Sequence, residues 1–385
     1  MGAAVLSGAI VASISNIAFG WLSDFWGTRR AWVAAGLGLT VASYVPLYLA
    51  SSPLSIVAAV CLFQCMLNML LSPLAAWMAE SISDDRKGRL GGGLGAGPLV
   101  GAAIGVVATL PVLTRPWMPL ALVCLVIIAL TTPLLISGRT PAAGRDRVKH
   151  PAPNAARAGL DLAFLWLSRL MVQVAGGTMF AFLLLYFHAL PSPPMDPQVA
   201  ELSALALLIA FPVALSFGVR SDRLGRRKPF LVVAAVVASA GLLIMAGASD
   251  FASSALGYLL FASASTVFLA LHSGYAMQLL PSPDRCGRDL GVVNLTNTLP
   301  SIIAPVLALW LVPQHGFSLL LTLLALLLLL AAAVVLFVRR DDAGLDEAHS
   351  RARSDQSDMA APVTLARVSL PLIGPVRPSP RKTII

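Results

Sequence analysis

The sequence predicts an all-α, polytopic membrane protein that is built from two homologous halves. Of its 385 residues, 57% are hydrophobic and only 12% are charged, and the mean hydropathy is +0.83. A soluble domain has about 25% charged residues. A bilayer also requires every backbone polar group to be paired within the protein, which favours helices. Two hydrophilic motifs each occur twice in the same order, which indicates a duplicated chain.

Apolar runs of about 20 residues are long enough to cross a hydrocarbon core of about 30 Å as helices. The period-2 alternation of a membrane β-barrel is absent from them. Eleven such runs are found, at residues 2–19, 31–50, 54–79, 93–113, 117–137, 162–187, 200–218, 229–249, 252–280, 289–312 and 316–338. We therefore expect eleven membrane-spanning helices.

The first repeated motif follows the first apolar run and recurs after the seventh. It reads GWLSDFWGTRR at residues 20–30 and GVRSDRLGRRK at residues 218–228, so that Asp24 and Asp222 are 198 positions apart. A glycine on a helix allows close approach of another helix, and a glycine in a loop permits a tight turn. We assign the first role to Gly20 and Gly218 and the second to Gly27 and Gly225.

The second motif reads DRKGR at residues 85–89 and DRCGR at residues 284–288, at an offset of 199 positions. Both copies lie at the start of an apolar run on the same side as the first motif. An Asp near a helix N-terminus is favourable by about 0.3–1 kcal/mol when exposed and by up to about 2 kcal/mol when partly buried. We therefore expect Asp24 and Asp222 to contact a neighbouring helix N-terminus and nearby arginines. Duplicated halves with hydrophilic loops between apolar runs are typical of membrane transporters.

Basic residues fix the predicted orientation. All of the 27 Lys and Arg residues except Arg115 and Arg169 lie in alternate loops or the C-terminal tail, on one side of the membrane. The positive-inside rule makes that side cytoplasmic. We expect Met1 outside, Ile385 inside, and a cell inner membrane location. The pI near 9.9 then reflects topology and anionic lipid rather than nucleic acid.

The odd number of runs suggests an unequal pair of halves. Run 162–187 in the second half has no counterpart in the first, because Met1 corresponds to Val199 in the repeat. We interpret the chain as a twelve-helix protein that lacks its first helix through a truncated or misannotated start. A genuine eleven-helix product is the alternative. The opening run is not a signal peptide, since no basic segment precedes it.

The first motif resembles the loop between the second and third helices of the major facilitator superfamily. The matching residues are Gly20, Leu22, Asp24, Gly27, Arg29 and Arg30. The second copy has Arg220 in place of Leu22 but keeps Gly218, Asp222, Gly225, Arg227 and Lys228. The resemblance covers residues 1–338 and implies two pseudo-symmetric helix bundles around a central cavity.

The resemblance also implies that the motif loops form a latch between the halves, which is made and broken as the cavity changes sides. A static turn is the alternative. Arg86, Arg89, Arg285 and Arg288 are the expected latch partners, and Glu80 is expected to act at a gate or in a loop salt bridge. We divide the chain into an N-terminal half (1–137), a cytoplasmic linker (138–160), a C-terminal half (161–338) and a disordered cytoplasmic tail (339–385).

Polar residues at helical spacing indicate where a substrate binds, because polar groups in hydrocarbon are costly unless they face protein or water. Arg169 lies about eight residues into its run, or about 12 Å from the membrane surface. It is either a substrate or coupling site, or a structural residue that caps carbonyls or reaches the interface. The full predicted set is Gln64, Asn68, Arg169, Gln173, His272, Tyr275, Asn294 and Asn297. Hydrogen bonding between helices is the alternative role for these residues.

These patterns predict a transporter of a small polar solute by alternating access. A sugar or glycoside is the first choice, because segments around Arg169 and Asn294 resemble bacterial sugar and glycoside permeases. Drug or metabolite efflux, and a non-transporting membrane protein or inactive fragment, are the alternatives. No Asp or Glu lies at mid-membrane, so a coupling proton would use the absent helix or His272, and a uniporter would need neither. We expect no enzyme activity, cofactor, metal or nucleic acid partner, and a monomer in the lipid bilayer.

Overall fold

Long helices account for the architecture of the chain. The computed structural model describes residues 2–26, 28–137, 155–280 and 285–339, within which every regular element is helical. The predicted all-α fold is therefore confirmed. The α-helices are α1 (Gly2–Phe25), α2 (Arg29–Leu49), α3 (Pro53–Ser81), α4 (Lys87–Leu94), α5 (Ala96–Ala108), α6 (Trp117–Ser137), α7 (Ala155–His188), α8 (Asp196–Leu224), α9 (Lys228–Gly247), α10 (Phe251–Gln278), α11 (Cys286–Thr298) and α12 (Pro300–Leu336).

Two predicted segments fall largely outside the described residues. Of the linker 138–160, only residues 155–160 are described, and they begin α7. Of the tail 339–385, only Arg339 is described. The division into two halves, a linker and a tail therefore stays a prediction.

The described helices include ten segments that are long and apolar enough to cross a membrane. The last segment, Cys286–Leu336, has 51 residues, which at 1.5 Å per residue is about 77 Å and more than twice the hydrocarbon thickness. Its backbone leaves the helical conformation at Gly316, where φ is 71° and ψ is −176°. This positive φ favours glycine. The break divides the segment into two, in agreement with the apolar runs 289–312 and 316–338.

Local sequence signals explain several helix starts. Ser52 forms a capping box with Ser55 at the start of α3, and Asp250 accepts a hydrogen bond from the Ser253 N–H at the start of α10. Hydrogen bonds from the Ser253 backbone and hydroxyl lower the pKa of Asp250. Such caps satisfy N–H groups that have no partner within the helix.

The second half has a continuous core formed mainly by α7 to α10 and α12. Leu231, Phe268 and Leu321 are fully buried within it. The outer faces of α9 and α12 instead expose Val, Leu and Ile side chains, including Val236 and Leu330. Apolar faces of this kind are suited to contact with lipid.

Helices of the first half (residues 1–137) and the second half (residues 161–338), as the duplication defines them, meet along related pairs. Helix α1 packs on α11, and α8 packs on α4. The halves differ at their edges, because α12 packs along α7 whereas α6 packs mainly on α2 and α5. This difference matches the sequence repeat, in which run 162–187 has no partner in the first half.

Candidate functional site

The two motif loops lie at one end of the bundle, which we call the basic end because Arg29 and Arg227 lie there. At this end Asp24, the penultimate residue of α1, sits at the N-terminus of α11. Its carboxylate oxygens accept hydrogen bonds from the backbone N–H groups of Gly287 at 2.8 Å and Arg288 at 2.9 Å. We call this contact the first latch. It joins the first half of the chain to the second.

The second latch is the duplicated counterpart of the first. Asp222 lies near the end of α8 and accepts hydrogen bonds from the backbone N–H groups of Gly88 and Arg89, both at 2.8 Å. These N–H groups belong to the first turn of α4, in the other half. Each latch therefore places a carboxylate on a positive helix end, where it replaces missing intrahelical acceptors.

Glycines allow the backbones to meet beneath the latches. A Cβ added to Gly20 would lie 2.7 Å from the Gly287 carbonyl carbon, and one on Gly287 would lie 3.0 Å from the Gly20 carbonyl carbon. In the second latch, a Cβ on Gly88 would lie 2.7 Å from the Gly218 carbonyl oxygen. All four glycines therefore serve close helix contact, the role predicted for Gly20 and Gly218.

Each latch carboxylate also forms an ion pair with a buried arginine of its own half. Arg29 pairs with Asp24 at 2.5 Å and with Glu80 at 2.8 Å. Arg227 pairs with Asp222 at 3.0 Å and also donates to the Asp84 carbonyl oxygen at 2.9 Å. The structure thus places Glu80 in an ion pair at the first latch.

Other residues of the motifs lie beside the latches rather than in them. Backbone N–H groups of the second motif contact Asp24 and Asp222, whereas the arginine side chains point elsewhere: Arg86 pairs with Asp85, Arg288 pairs with Asp289, and Arg89 and Arg285 are exposed. Arg30 is exposed and Lys228 is buried at the start of α9. Gly225 adopts φ 64° after α8, as a tight turn requires, and Gly27 lies outside the described residues.

Lys87 makes a further contact between the halves, which the sequence did not single out. Its ammonium donates to the Met277 carbonyl oxygen in the other half at 2.9 Å. It also pairs with Asp84 at 2.7 Å, and its side chain is 7% exposed. The available signal was that Lys87 occupies the position of Cys286 in the second copy of the motif.

A cavity of about 240 Å³ lies between the two halves. Apolar side chains line most of it, and five polar residues join them, two from the first half and three from the second. These are Asn16, Ser72, Arg169, Ser273 and Asn294. Arg169 and Asn294 were predicted from the sequence.

Arg169 is the centre of the polar network on the second-half wall of the cavity. Its Nε donates to the Thr296 hydroxyl at 3.1 Å, and its Nη1 donates to the Ser273 hydroxyl at 3.1 Å. Its Nη2 donates to the Asn297 side-chain oxygen at 3.3 Å. Gln173 also donates to Asn297, which in turn contacts Asn294. The structure therefore brings together four of the predicted site residues on α7 and α11.

His272 joins this network, but Tyr275 does not line the cavity. His272 Nε2 lies 2.9 Å from the Leu165 carbonyl oxygen, and its Nδ1 lies 3.3 Å from Arg169 Nη1. Because a carbonyl only accepts, Nε2 carries the proton and Nδ1 accepts from Arg169. Tyr275 is 1% exposed and packs in the hydrophobic core of the second half.

The first-half wall is organised around Asn68. Asn16 donates its side-chain amide to Asn68 at 2.7 Å, and Ser72 donates to the Asn16 carbonyl oxygen at 2.8 Å. Asn68 also donates to the backbone oxygen of Gln64 at 2.7 Å. Asn16 was missed from the sequence, where a single Asn in an apolar run shows no helical stripe.

The arrangement is a cavity with polar side chains from both halves on its walls. Among the described residues, no group of three or more His, Cys, Asp or Glu side chains could hold a metal ion. Donors and acceptors on both walls can instead bind a polar solute, and the latches at the basic end join the same two halves.

Comparisons with known proteins agree with this architecture. The family model for the Major Facilitator Superfamily matches residues 166–380. No curated protein matches the chain by sequence.

Solved structures share the fold at low sequence identity. The Escherichia coli fucose:proton symporter FucP has a TM-score of 0.67 at 15% identity, over 88% of this chain and 90% of that one. The human organic anion transporter MFSD10 has a TM-score of 0.64 at 18% identity, over 87% and 83%. A bacterial homologue of the iron transporter ferroportin has a TM-score of 0.65 at 18% identity, over 88% and 89%. Since the family model matches more than half of the sequence, the chain belongs to the major facilitator superfamily.

Proposed function

We propose that the protein carries a small polar solute across the membrane by alternating access, with a sugar or glycoside as the first candidate. The observation that carries this proposal is the pair of duplicated latches. Each latch joins opposite halves through two backbone hydrogen bonds at one end of the bundle, and a polar cavity lies between the same halves. Separation of the halves at that end would have to break both latches, together with the hydrogen bonds of Lys87 to Met277 and of Arg227 to Asp84.

The proposal assigns the basic end to the cytoplasm, on the positive-inside rule. The latched arrangement is then closed to the cytoplasm. In support, the ferroportin homologue was solved in an outward-facing state and FucP in an outward conformation. The protein would work as a monomer in the cytoplasmic membrane, with its C-terminus inside.

The proposed substrate site is the polar network around Arg169 together with the opposite wall around Asn68. Amide and hydroxyl groups on both walls suit a solute rich in hydroxyl groups. The fold similarity to a fucose symporter supports a sugar. His272 is the one titratable imidazole in this network among the described residues, so proton coupling would require it to change its hydrogen bonds.

Uptake into proteoliposomes tests the function. Purified protein would be reconstituted and offered a panel of labelled neutral and acidic monosaccharides and glycosides. We expect at least one solute to enter faster than into protein-free vesicles. Uptake should slow severalfold in Asp24→Asn at equal protein content, because the first latch then loses its charge.

Asp250→Asn is the matched control for this test. It makes the same chemical change at a helix N-terminus, but the hydrogen bonds of Asp250 in the described part of the chain go to Ser253 of its own helix. Its uptake should equal that of the parent. Equal leakage of every solute with and without protein would overturn the proposal.

A further inference from the structure

We infer that the transported solute is an anion, namely a hydroxylated monocarboxylate such as a sugar acid, and that Arg169 is its counter-ion. The inference rests on the proposed transport function and names the substrate class of the same cavity. It departs from a neutral sugar because the cavity contains a cation that the described protein does not neutralise.

Every acceptor that Arg169 meets is neutral. They are two hydroxyls, an amide oxygen, an imidazole nitrogen and the Leu269 carbonyl oxygen at 3.3 Å. None of them carries charge, because the His272 Nδ1 must be unprotonated to accept. Neutral acceptors satisfy the hydrogen-bonding groups of a guanidinium but leave its positive charge uncompensated.

No carboxylate forms an ion pair with Arg169 in the described part of the chain. On α11 the acid is Asp289, which pairs with Arg288 at 2.8 Å. It precedes Thr296 by seven residues, or about 10 Å along a helix. The acid on α7 is Asp161, whose carboxylate accepts a hydrogen bond from the backbone N–H of Arg339. An Arg near mid-membrane costs about 2.5–3.5 kcal/mol even on the mildest insertion scale, so its retention without an acid favours a charged ligand.

The guanidinium also keeps a donor for that ligand. Nη2 carries two N–H groups but makes one hydrogen bond, to Asn297, among the described residues. Asn297 is exposed, and Arg169 lines the cavity. A carboxylate could take the remaining N–H and displace the Asn297 oxygen, which gives the charge-assisted geometry that a planar guanidinium favours.

The other polar residues that line the cavity indicate which further groups the solute has. Asn294 and Ser273 lie beside Arg169, while Asn16 and Ser72 line the opposite half. These groups suit hydroxyls rather than a second charge, and within the described ranges no other cationic side chain lines the cavity. One cation and a volume of about 240 Å³ therefore favour a sugar-sized monoanion over a phosphate dianion.

Binding of matched probes to the full chain in nanodiscs tests this inference. The probes are D-glucuronate, its uncharged methyl ester and D-glucose. We expect D-glucuronate to bind at least tenfold more tightly than the ester, which corresponds to about 1.4 kcal/mol. Arg169→Gln should abolish the preference, and Arg169→Lys should retain part of it, since Lys keeps the charge but loses the planar fork. Arg115→Gln, at an exposed loop position, should bind as the parent does.

Three results would overturn the inference: equal binding of acid and ester by the parent, an unchanged preference in Arg169→Gln at normal protein yield, or no binding of D-glucuronate. The uptake panel tests the proposed function separately from this inference. If the uptake panel shows a neutral sugar carried in a latch-dependent way, transport stands and the anionic substrate is wrong. If no solute in the panel is carried, the transport proposal itself fails.

Discussion

Asp222→Asn should open the basic end without unfolding the protein. The carboxylate of Asp222 accepts two N–H groups from α4, at Gly88 and Arg89, and one from Arg227 in its own half. Of these three bonds to the Asp222 carboxylate, only the two from α4 cross between the halves. Asparagine keeps one acceptor oxygen and loses the charge, so that one crossing bond disappears and the other weakens.

The size of the effect follows from those contacts. A hydrogen bond to a charged group contributes about 1.5–3 kcal/mol, and a carboxylate at a partly buried helix N-terminus contributes up to about 2 kcal/mol. The two figures describe the same contact and do not add. We therefore expect the latched state to lose about 2 kcal/mol relative to the open state, which is roughly a 30-fold shift in their ratio.

Cys286 provides a native probe of opening. It begins α11 next to the first latch, is 3% exposed, and packs against Ala76 and Ala79 of the other half. With Cys61, Cys65 and Cys124 replaced by Ala, alkylation by N-ethylmaleimide would report separation of the halves. The Asp222→Asn variant should react about 30-fold faster than its parent, and Asp250→Asn should not. Unchanged alkylation and unchanged uptake in Asp222→Asn would refute the latch. Equal acceleration in Asp250→Asn would show general loosening instead.

Two glycine substitutions test the geometry further. Gly88→Leu should abolish uptake and speed Cys286 alkylation, because its Cβ would lie 2.7 Å from both the Gly218 carbonyl oxygen and the Ser221 hydroxyl; normal uptake would contradict the close contact. Gly225→Val should lower thermal stability by about 1–3 kcal/mol, since φ is 64° there. Thermal unfolding in detergent measures this, with Gly93→Ala as the control in open space; equal unfolding temperatures would contradict the assigned turn.

Membrane physics made the helices predictable from the sequence. Apolar runs must match the bilayer thickness, so their number and breaks follow directly from composition. The division at Gly316 shows this well, because the backbone leaves the helical conformation there and the apolar runs separate between residues 312 and 316. Duplication then indicated which loops are equivalent, since the motif around Asp24 recurs around Asp222, 198 positions later.

The partners within the site were harder to predict. A motif rich in arginine suggested side-chain ion pairs, but the backbone N–H groups of Arg89 and Arg288 contact the aspartates. The sequence cannot distinguish a side-chain contact from a backbone contact here, because any non-proline residue at that helix position supplies the same N–H. Tyr275 follows His272 by three residues, yet it packs in the hydrophobic core. Helical spacing shows that two residues share a face of the helix, but it does not show which neighbouring elements pack against that face.

The cavity and the latches are linked by the helices that carry them. Asn16 lines the cavity from α1, the same helix that ends in Asp24, and Asn294 lines it from α11, whose N-terminus Asp24 contacts. A solute held between Asn16 and Asn294 would therefore contact both helices of the first latch. Because a ligand shifts a conformational equilibrium only by its difference in affinity for the two states, such a solute can bias the latch only if the distance between these walls changes on opening. The duplicated close contacts at Gly20 and Gly287, and at Gly88 and Gly218, make α1–α11 and α4–α8 the pairs that would have to slide or separate in the proposed transport cycle. Arg169 lies on α7, outside both pairs, but its hydrogen bond to Thr296 joins it to α11, so Arg169 and Asn294 belong to the same wall of the cavity.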